Sequence, residues 1–373
     1  MRCVCKFMIT LQPLNAKTCK ANMPDFSQLT FKSLAVHRVG NKMRNEGVLI
    51  AGNTYPLTDE LLRNALLDYF LSPFARYNGY FKFTHPADIK LNELYTFCRH
   101  VFDNRAEFLE QSVNIAKHLY NQSTHPKIQG GELCIAYFAD CMLEDELTDA
   151  IGIFKSEQKD AFLKPDESNQ SVVFRLEKGI NLKHLDKGCL IFNTSEADGY
   201  RVLLVDKLSK SPSEAQYWRD DFLRLERVQD NGYVTENYLT LCHQYGEDTF
   251  GIEQGKKDQL LFLNKTLQYF TDHELFDIND FSEQIFEDQP AHAGRFKEFK
   301  ERFEEDNNVI VANDFKISQP AVKIMKRKLR SLIKLDTNID IKLNSESTEQ
   351  FIERGYDEER KMFFYKVYFN EEQ

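Results

Sequence analysis

The chain has 373 residues, 28% of them charged and 42% hydrophobic, at a formal net charge of −10. That length suits two or three domains with real cores, and the charge excludes a histone-like coat of positive charge, so any contact with nucleic acid has to be a local patch. No apolar run approaches the roughly 20 residues of a membrane helix, and eight cysteines without a CxxC pair read as reduced, buried thiols of a cytosolic protein.

Residues 1–22 hold Arg2, Lys6, Lys17 and Lys20, no acid, and three of the eight cysteines. Their apolar run is too short and charge-broken for a signal peptide. The folding pattern begins at Met23 (MPDFSQLTF), so this segment reads as a poorly ordered extension from an upstream start codon. Phe26 to Val39 and Gly47 to Tyr55 then read as two strands joined by a polar turn. Thr58-Asp59-Glu60 caps a helix through Phe70, with acids where the helix dipole favours them. Tyr77 to Phe83 carries alternating aromatics around Gly79, a short strand. A helical block runs from Leu91 to Asn121. In it Asn104 and Glu107 resemble a capping box, and Ala106, Leu109, Val113, Ala116 and Tyr120 mark one buried face.

From Glu132 to Leu208 the hydrophobic period changes to two. Five strands (GELCIAYFAD, DAIGIFKSE, SVVFRLEKG, GCLIFNT, GYRVLLVDKL) with local connections predict an antiparallel meander. Strands apolar on both faces, such as LCIAYF, predict helices covering the sheet. Composition shifts near Ser209. Helices are then predicted at Val234–Tyr245, Lys256–Thr271, Ile278–Phe286 and His292–Glu305, a strand at Val309–Phe315, and terminal strands IDIKL and MFFYKVYF. The expected fold is α+β. It has an N-terminal antiparallel sheet with helices over 23–210, followed by a mainly helical C-terminal domain with a few strands over 211–373.

Catalytic motifs are missing: there is no P-loop, GxGxxG, HExxH or GxSxG, and no histidine pairs with another His or Cys at metal-ligand spacing. His37, ending an apolar strand, reads as a structural histidine. The acidic turn LEDELTD lacks the ligand order and glycine of a calcium loop and reads as a solvated tip. Glu157-Gln158-Lys159, with Asp140 and Asp149 on adjacent strand ends, has the acid-x-Lys texture of a metal-dependent nuclease. Tyr365-Lys366-Val367-Tyr368 could stack on unpaired bases, although a terminal strand more often splits into core and edge faces. The expectation is no catalytic residue, no metal and no cofactor.

One segment runs against the charge of the whole. Lys316 to Leu335 carries seven basic residues and no acid, between Asp314 and Asp336. It reads as an amphipathic helix over 318–335, capped by Ser318 with Pro320 in its first turn. Ala321, Val322, Met325, Leu329, Leu332 and Ile333 share one face at about 100° per residue. Lys323, Arg327, Arg330 and Lys334 fall in a narrow arc opposite, a stripe of roughly 16 Å, with Lys326 beside it. Cations at that reach can meet several phosphates of a duplex backbone. A solvated face of good helix formers would look similar.

Taken in order, FKSLAVHRVGN from Phe31, GGELCIAYFAD, DAIGIFKSE, GYRVLLVDKL, FKISQPAVKIMKRKLRSLIKLD and the terminal strands resemble the bacterial nucleoid-associated NdpA (YejK-like) family, over nearly everything after Met23. The resemblance implies a cytoplasmic protein at the nucleoid that binds DNA directly or through nucleoid partners, without established enzymatic activity. It also implies a link to topoisomerase-type partners. The reading is a non-specific DNA binder, with a protein-interaction module acting on DNA-associated enzymes and a metal-dependent nuclease as alternatives, and with room for a homodimer.

Overall fold

The computed structural model describes residues 24–75, 79–143, 146–168, 171–206, 217–253, 255–287, 290–307, 309–329, 332–342 and 352–371. The expectations for residues 1–22, for the start of the strand at Tyr77, for the centre of the acidic turn at 144–145 and for the shift near Ser209 lie outside them. The N-terminal half builds β1 (Thr30–Val39), β2 (Val48–Leu49), α1 (Glu60–Leu71), β3 (Phe81–Phe83), α2 (Glu93–Asp103), α3 (Phe108–Gln122), β4 (Gly131–Leu143) and β5 (Glu146–Ser156). It continues through β6 (Asp160–Ser168), β7 (Ser171–Gly179), β8 (Lys187–Phe192), β9 (Arg201–Asp206) and, after a π-helical turn at Tyr217–Leu223, β10 (Leu225–Arg227).

Eight of these strands form one antiparallel sheet in the order β10-β3-β9-β8-β5-β4-β1-β2. Its central strands explain the apolar runs. On β4, Leu133, Ile135 and Tyr137 enter a core with α2, α3 and Trp218, whereas Cys134, Ala136 and Phe138 enter a second core with Tyr69, Phe70 and Leu71 of α1. Side chains alternate across a strand, so a sheet covered on both sides needs apolar residues at every position. The sequence places the cover correctly: Asp59 caps α1 by accepting from the Leu62 N–H.

Three details differ from expectation. The buried face of α3 is centred on Phe108, Ser112, Ile115 and Leu119, with Ala106 exposed, because the helix starts only at Phe108 after a 3-10 turn. Asn104 accepts from the Ala106 N–H and its amide bonds Glu107, so the reciprocal capping box does not form. The strand SVVFRLEKG leaves the meander and pairs with β6, a strand the reading lacked, in a separate two-stranded ribbon.

The C-terminal half builds α4 (Asn231–Tyr245), α5 (Lys256–Asp272), β11 (Leu275–Asp277), α6 (Ile278–Ile285), α7 (Pro290–Asn307), β12 (Asp314–Lys316), α8 (Gln319–Lys328), β13 (Leu332–Lys334), β14 (Asp340–Lys342), β15 (Ile352–Asp357) and β16 (Met362–Val367). The last six strands pair as β11-β12, β13-β14 and β15-β16. A third core joins these helices, built largely of aromatic rings. Tyr238 on α4 sits 4.1 Å from Phe276 and 5.9 Å from Phe281, ring centroid to centroid. Such pairs add about 0.5–1.5 kcal/mol each beyond area burial, which accounts for much of the Phe and Tyr content. Residues 217–228 pack on the sheet, so the helical region begins at Asn231.

Candidate nucleic-acid interface

The basic segment forms a shorter helix than its periodicity predicts. α8 spans Gln319–Lys328, with Ser318 as N-cap residue and Pro320 in the first turn. The Ser318 hydroxyl makes no capping bond and is buried without a partner. The helix start is held instead from outside. The Ser318 N–H donates to the Thr235 hydroxyl of α4 at 3.0 Å, and the Gln319 amide donates to the Phe270 carbonyl at 3.0 Å. Ala321, Val322, Met325 and Leu329 are buried against the aromatic core, as their spacing predicts.

Beyond Lys328 the backbone leaves the helical region at Leu329 (φ −86°, ψ 63°) and enters β13. Ile333 opposes Ile341 and is buried, whereas Lys334 and Asp340 oppose each other and are exposed. A turn with Asn338 at φ 61° closes the hairpin, and the Leu335 N–H donates to the Ile339 carbonyl. The period of two in LIKL and IDIK, divided by Asp336-Thr337-Asn338, was the overlooked signal. Leu332 and Ile333 fit a helix wheel and a strand alternation equally well, and the hairpin partner decides between them.

The predicted stripe is therefore corrected. Lys323, Lys326 and Arg327 share an exposed arc of α8, and Lys328 is exposed to one side. Lys334 stands on β13, across from an acid, and Arg330 lies outside the described residues. From Lys323 to Arg327 the reach is about 6 Å at 1.5 Å per residue, enough for about two phosphates of one strand, which fall every ~3.4 Å of axis. Lys323, Arg327 and Lys334 form no ion pair among the described residues.

The acids just upstream do not cover this face by pairing. α7 and α8 both pack on α4, and α8 also packs on α5. On α7, Glu304 is engaged by Lys300 at 2.9 Å and by the Val311 N–H at 2.7 Å. On α4, burial pushes the Glu236 carboxyl up while Arg227 and Lys328 pull it back down. Three cations in the last turn also sit where the helix dipole favours them.

The nuclease constellation does not assemble. Asp140 is a bulge residue at φ 61° whose carboxylate accepts from the Thr30 hydroxyl, and Asp149 is bonded by the Tyr137 hydroxyl. Glu157 follows the opposite end of β5, roughly 26 Å along the strand from Asp149 at ~3.3 Å per residue. Lys159 pairs with Glu132 at 2.7 Å. Among the described residues no group of three or more His, Cys, Asp or Glu could hold a metal ion. His37 bonds Ser112 at 3.1 Å and accepts from the Ala51 N–H, so it is held in its neutral form, and burial lowers its pKa. On β16, Tyr365 packs against the aromatic core while Lys366 and Val367, and Tyr368 just beyond the strand, are exposed.

Glu157 belongs to a buried ionic cluster that the sequence did not announce. The Lys155 ammonium donates to Glu157 at 2.8 Å, to the Tyr217 hydroxyl at 3.2 Å and to the Gln129 carbonyl at 2.7 Å. Lys187 pairs with Asp206 at 2.8 Å. Asp186 accepts the N–H groups of Glu157 and Gln158, and burial raises its pKa against those bonds. Burial likewise lowers the Lys155 pKa, opposed by Glu157. Each charge has an opposite partner or a hydrogen bond, with only the second Asp206 carboxylate oxygen left buried and unbonded, so the cluster ties β5, β8 and β9 to the 217–223 turn.

No helix of the described residues is long and apolar enough to cross a membrane. No curated protein matches the chain significantly. All but the first residues of the sheet, with the aromatic helical region and the basic helix, fall within one family match: the model for the nucleoid-associated protein YejK aligns with residues 35–364, and the chain belongs to that family.

Proposed function

We propose that this protein binds duplex DNA at the nucleoid without sequence choice and without catalysis, with α8 as its contact. Lys323, Lys326 and Arg327 would meet phosphates. The observation that carries this reading is an exposed, acid-free helix face, seated on a buried apolar face, in a chain of net charge −10. Phosphate contacts position a protein without reading bases, which suits a family named for association with the whole nucleoid.

The test is a salt titration of binding to a labelled duplex. Two phosphate contacts give a slope of log K against log salt near −1.8, or about a 12-fold loss between 50 and 200 mM salt. Replacing Lys323, Lys326 and Arg327 together by Glu should abolish binding. An unchanged affinity and slope would remove α8 from the interface. A second reading, recruitment by a DNA-associated protein, is favoured by the short reach of the arc. It wins if the purified protein shows no salt-dependent binding yet still localises to the nucleoid.

A further inference from the structure

The β6–β7 ribbon has a face that nothing in the described chain covers. The register opposes Ala161 to Lys178, Leu163 to Leu176, Pro165 to Phe174 and Glu167 to Val172. Residues directly opposite share a face, so one side of the ribbon is apolar along most of its length. Leu163 is 62% exposed, Leu176 70%, Phe174 64% and Val172 63%. The other side carries Lys164, Asp166, Arg175 and Glu177, which pair with each other as Lys164–Glu177 and Arg175–Asp166. Sequence and pairing thus make an amphipathic two-stranded sheet with water on its apolar side. A lone hairpin is marginal in water and needs a layer against its hydrophobic face.

We propose that this ribbon is a dimerisation arm whose apolar face stacks on the same face of a second copy. Three features favour a second copy. First, the face offers no unpaired cluster of charge for a charged ligand, since the ribbon's ion pairs lie on its other side. Second, taking about 200 Å² for each fully exposed side chain, the four large residues expose roughly 500 Å² per copy. Two copies then reach about 1,000 Å², the size at which a specific interface begins. Third, the face tolerates its own reversal: the Leu163–Leu176 and Pro165–Phe174 pairs flank its midpoint, so an antiparallel two-fold stack sets each pair of one arm over the other pair of its partner. A two-fold interface of this kind is isologous. The arms, each roughly 30 Å long, would lie about 10 Å apart as packed sheets do, with the two bodies at opposite ends.

Sedimentation velocity of the full chain tests this independently of DNA binding. The wild type should run at about twice its 43.7 kDa. Replacing Leu163 and Leu176 together by Asp should weaken the dimer at least ~100-fold, leaving far-UV circular dichroism and Trp218 emission unchanged, since both residues face water in the monomer. Phe162→Asp, on the charged side, should leave the dimer intact. The milder Phe174→Ser must also weaken association, which keeps the test valid if the double variant loses its fold. A wild type that stays monomeric at about 100 µM, or a dimer indifferent to Phe174→Ser, would overturn the assignment.

Discussion

Glu157→Ala isolates the energetics of the ionic cluster. Lys155 and Glu157 have side-chain exposures of 1% and 5% at an N···O distance of 2.8 Å, so neither charge is solvated by water. Removing the carboxylate strands a buried ammonium and deprives the Tyr217 hydroxyl of its acceptor. Breaking such a pair costs about 3–5 kcal/mol, a large share of the ~5–15 kcal/mol that holds a domain together. Trp218 is the chain's single tryptophan, fully buried beside Tyr217, so its fluorescence reports unfolding of this region. With a urea dependence of about 2–3 kcal/mol per molar, the midpoint should fall by roughly 1–2 M. A double variant, Lys155→Met with Glu157→Leu, should recover most of the loss, because apolar residues replace a buried pair at little cost. A shift below about 0.3 M for Glu157→Ala would refute the idea that the pair is dry and mutually dependent.

Two further outcomes are expected. Burial lowers the His37 pKa below 6.5, so the unfolded chain binds the proton more readily. Stability should then fall as pH drops through 6.5 towards the depressed value, by up to about 1.4 kcal/mol per pH unit. Urea midpoints at pH 7.5 and 5.5 measure this, and His37→Gln should remove that increment; an identical pH dependence in the variant would contradict it. Gly199 has φ +96°, and a Cβ there would meet the Phe83 carbonyl oxygen at 2.4 Å. Gly199→Ala should therefore cost about 2–4 kcal/mol from strain and overpacking together, and a thermal unfolding temperature within 2 °C of wild type would count against that geometry.

Local chemistry carried much of the architecture. Asp59 before an apolar helix, and strands apolar at every position, lead directly to a covered antiparallel sheet, because capping and alternation act within a few residues. The limits appear where two periods fit the same letters. Leu332 and Ile333 satisfied a helix face, and only pairing with β14 shows that Lys334 leaves the basic arc. Glu157 looked like a metal ligand by its neighbour Lys159, yet it answers Lys155 and Tyr217, sixty residues away.

By itself the sequence determined the α+β class and where the basic helix begins, since these rest on composition, order and short-range periodicity. The tertiary structure alone decided how far that helix runs, which acids face which lysines, and that one ribbon leaves the sheet with its apolar side in water. Each of those depends on partners distant in the chain, and a side chain's charge or apolar surface has meaning only once its neighbours across the fold are set.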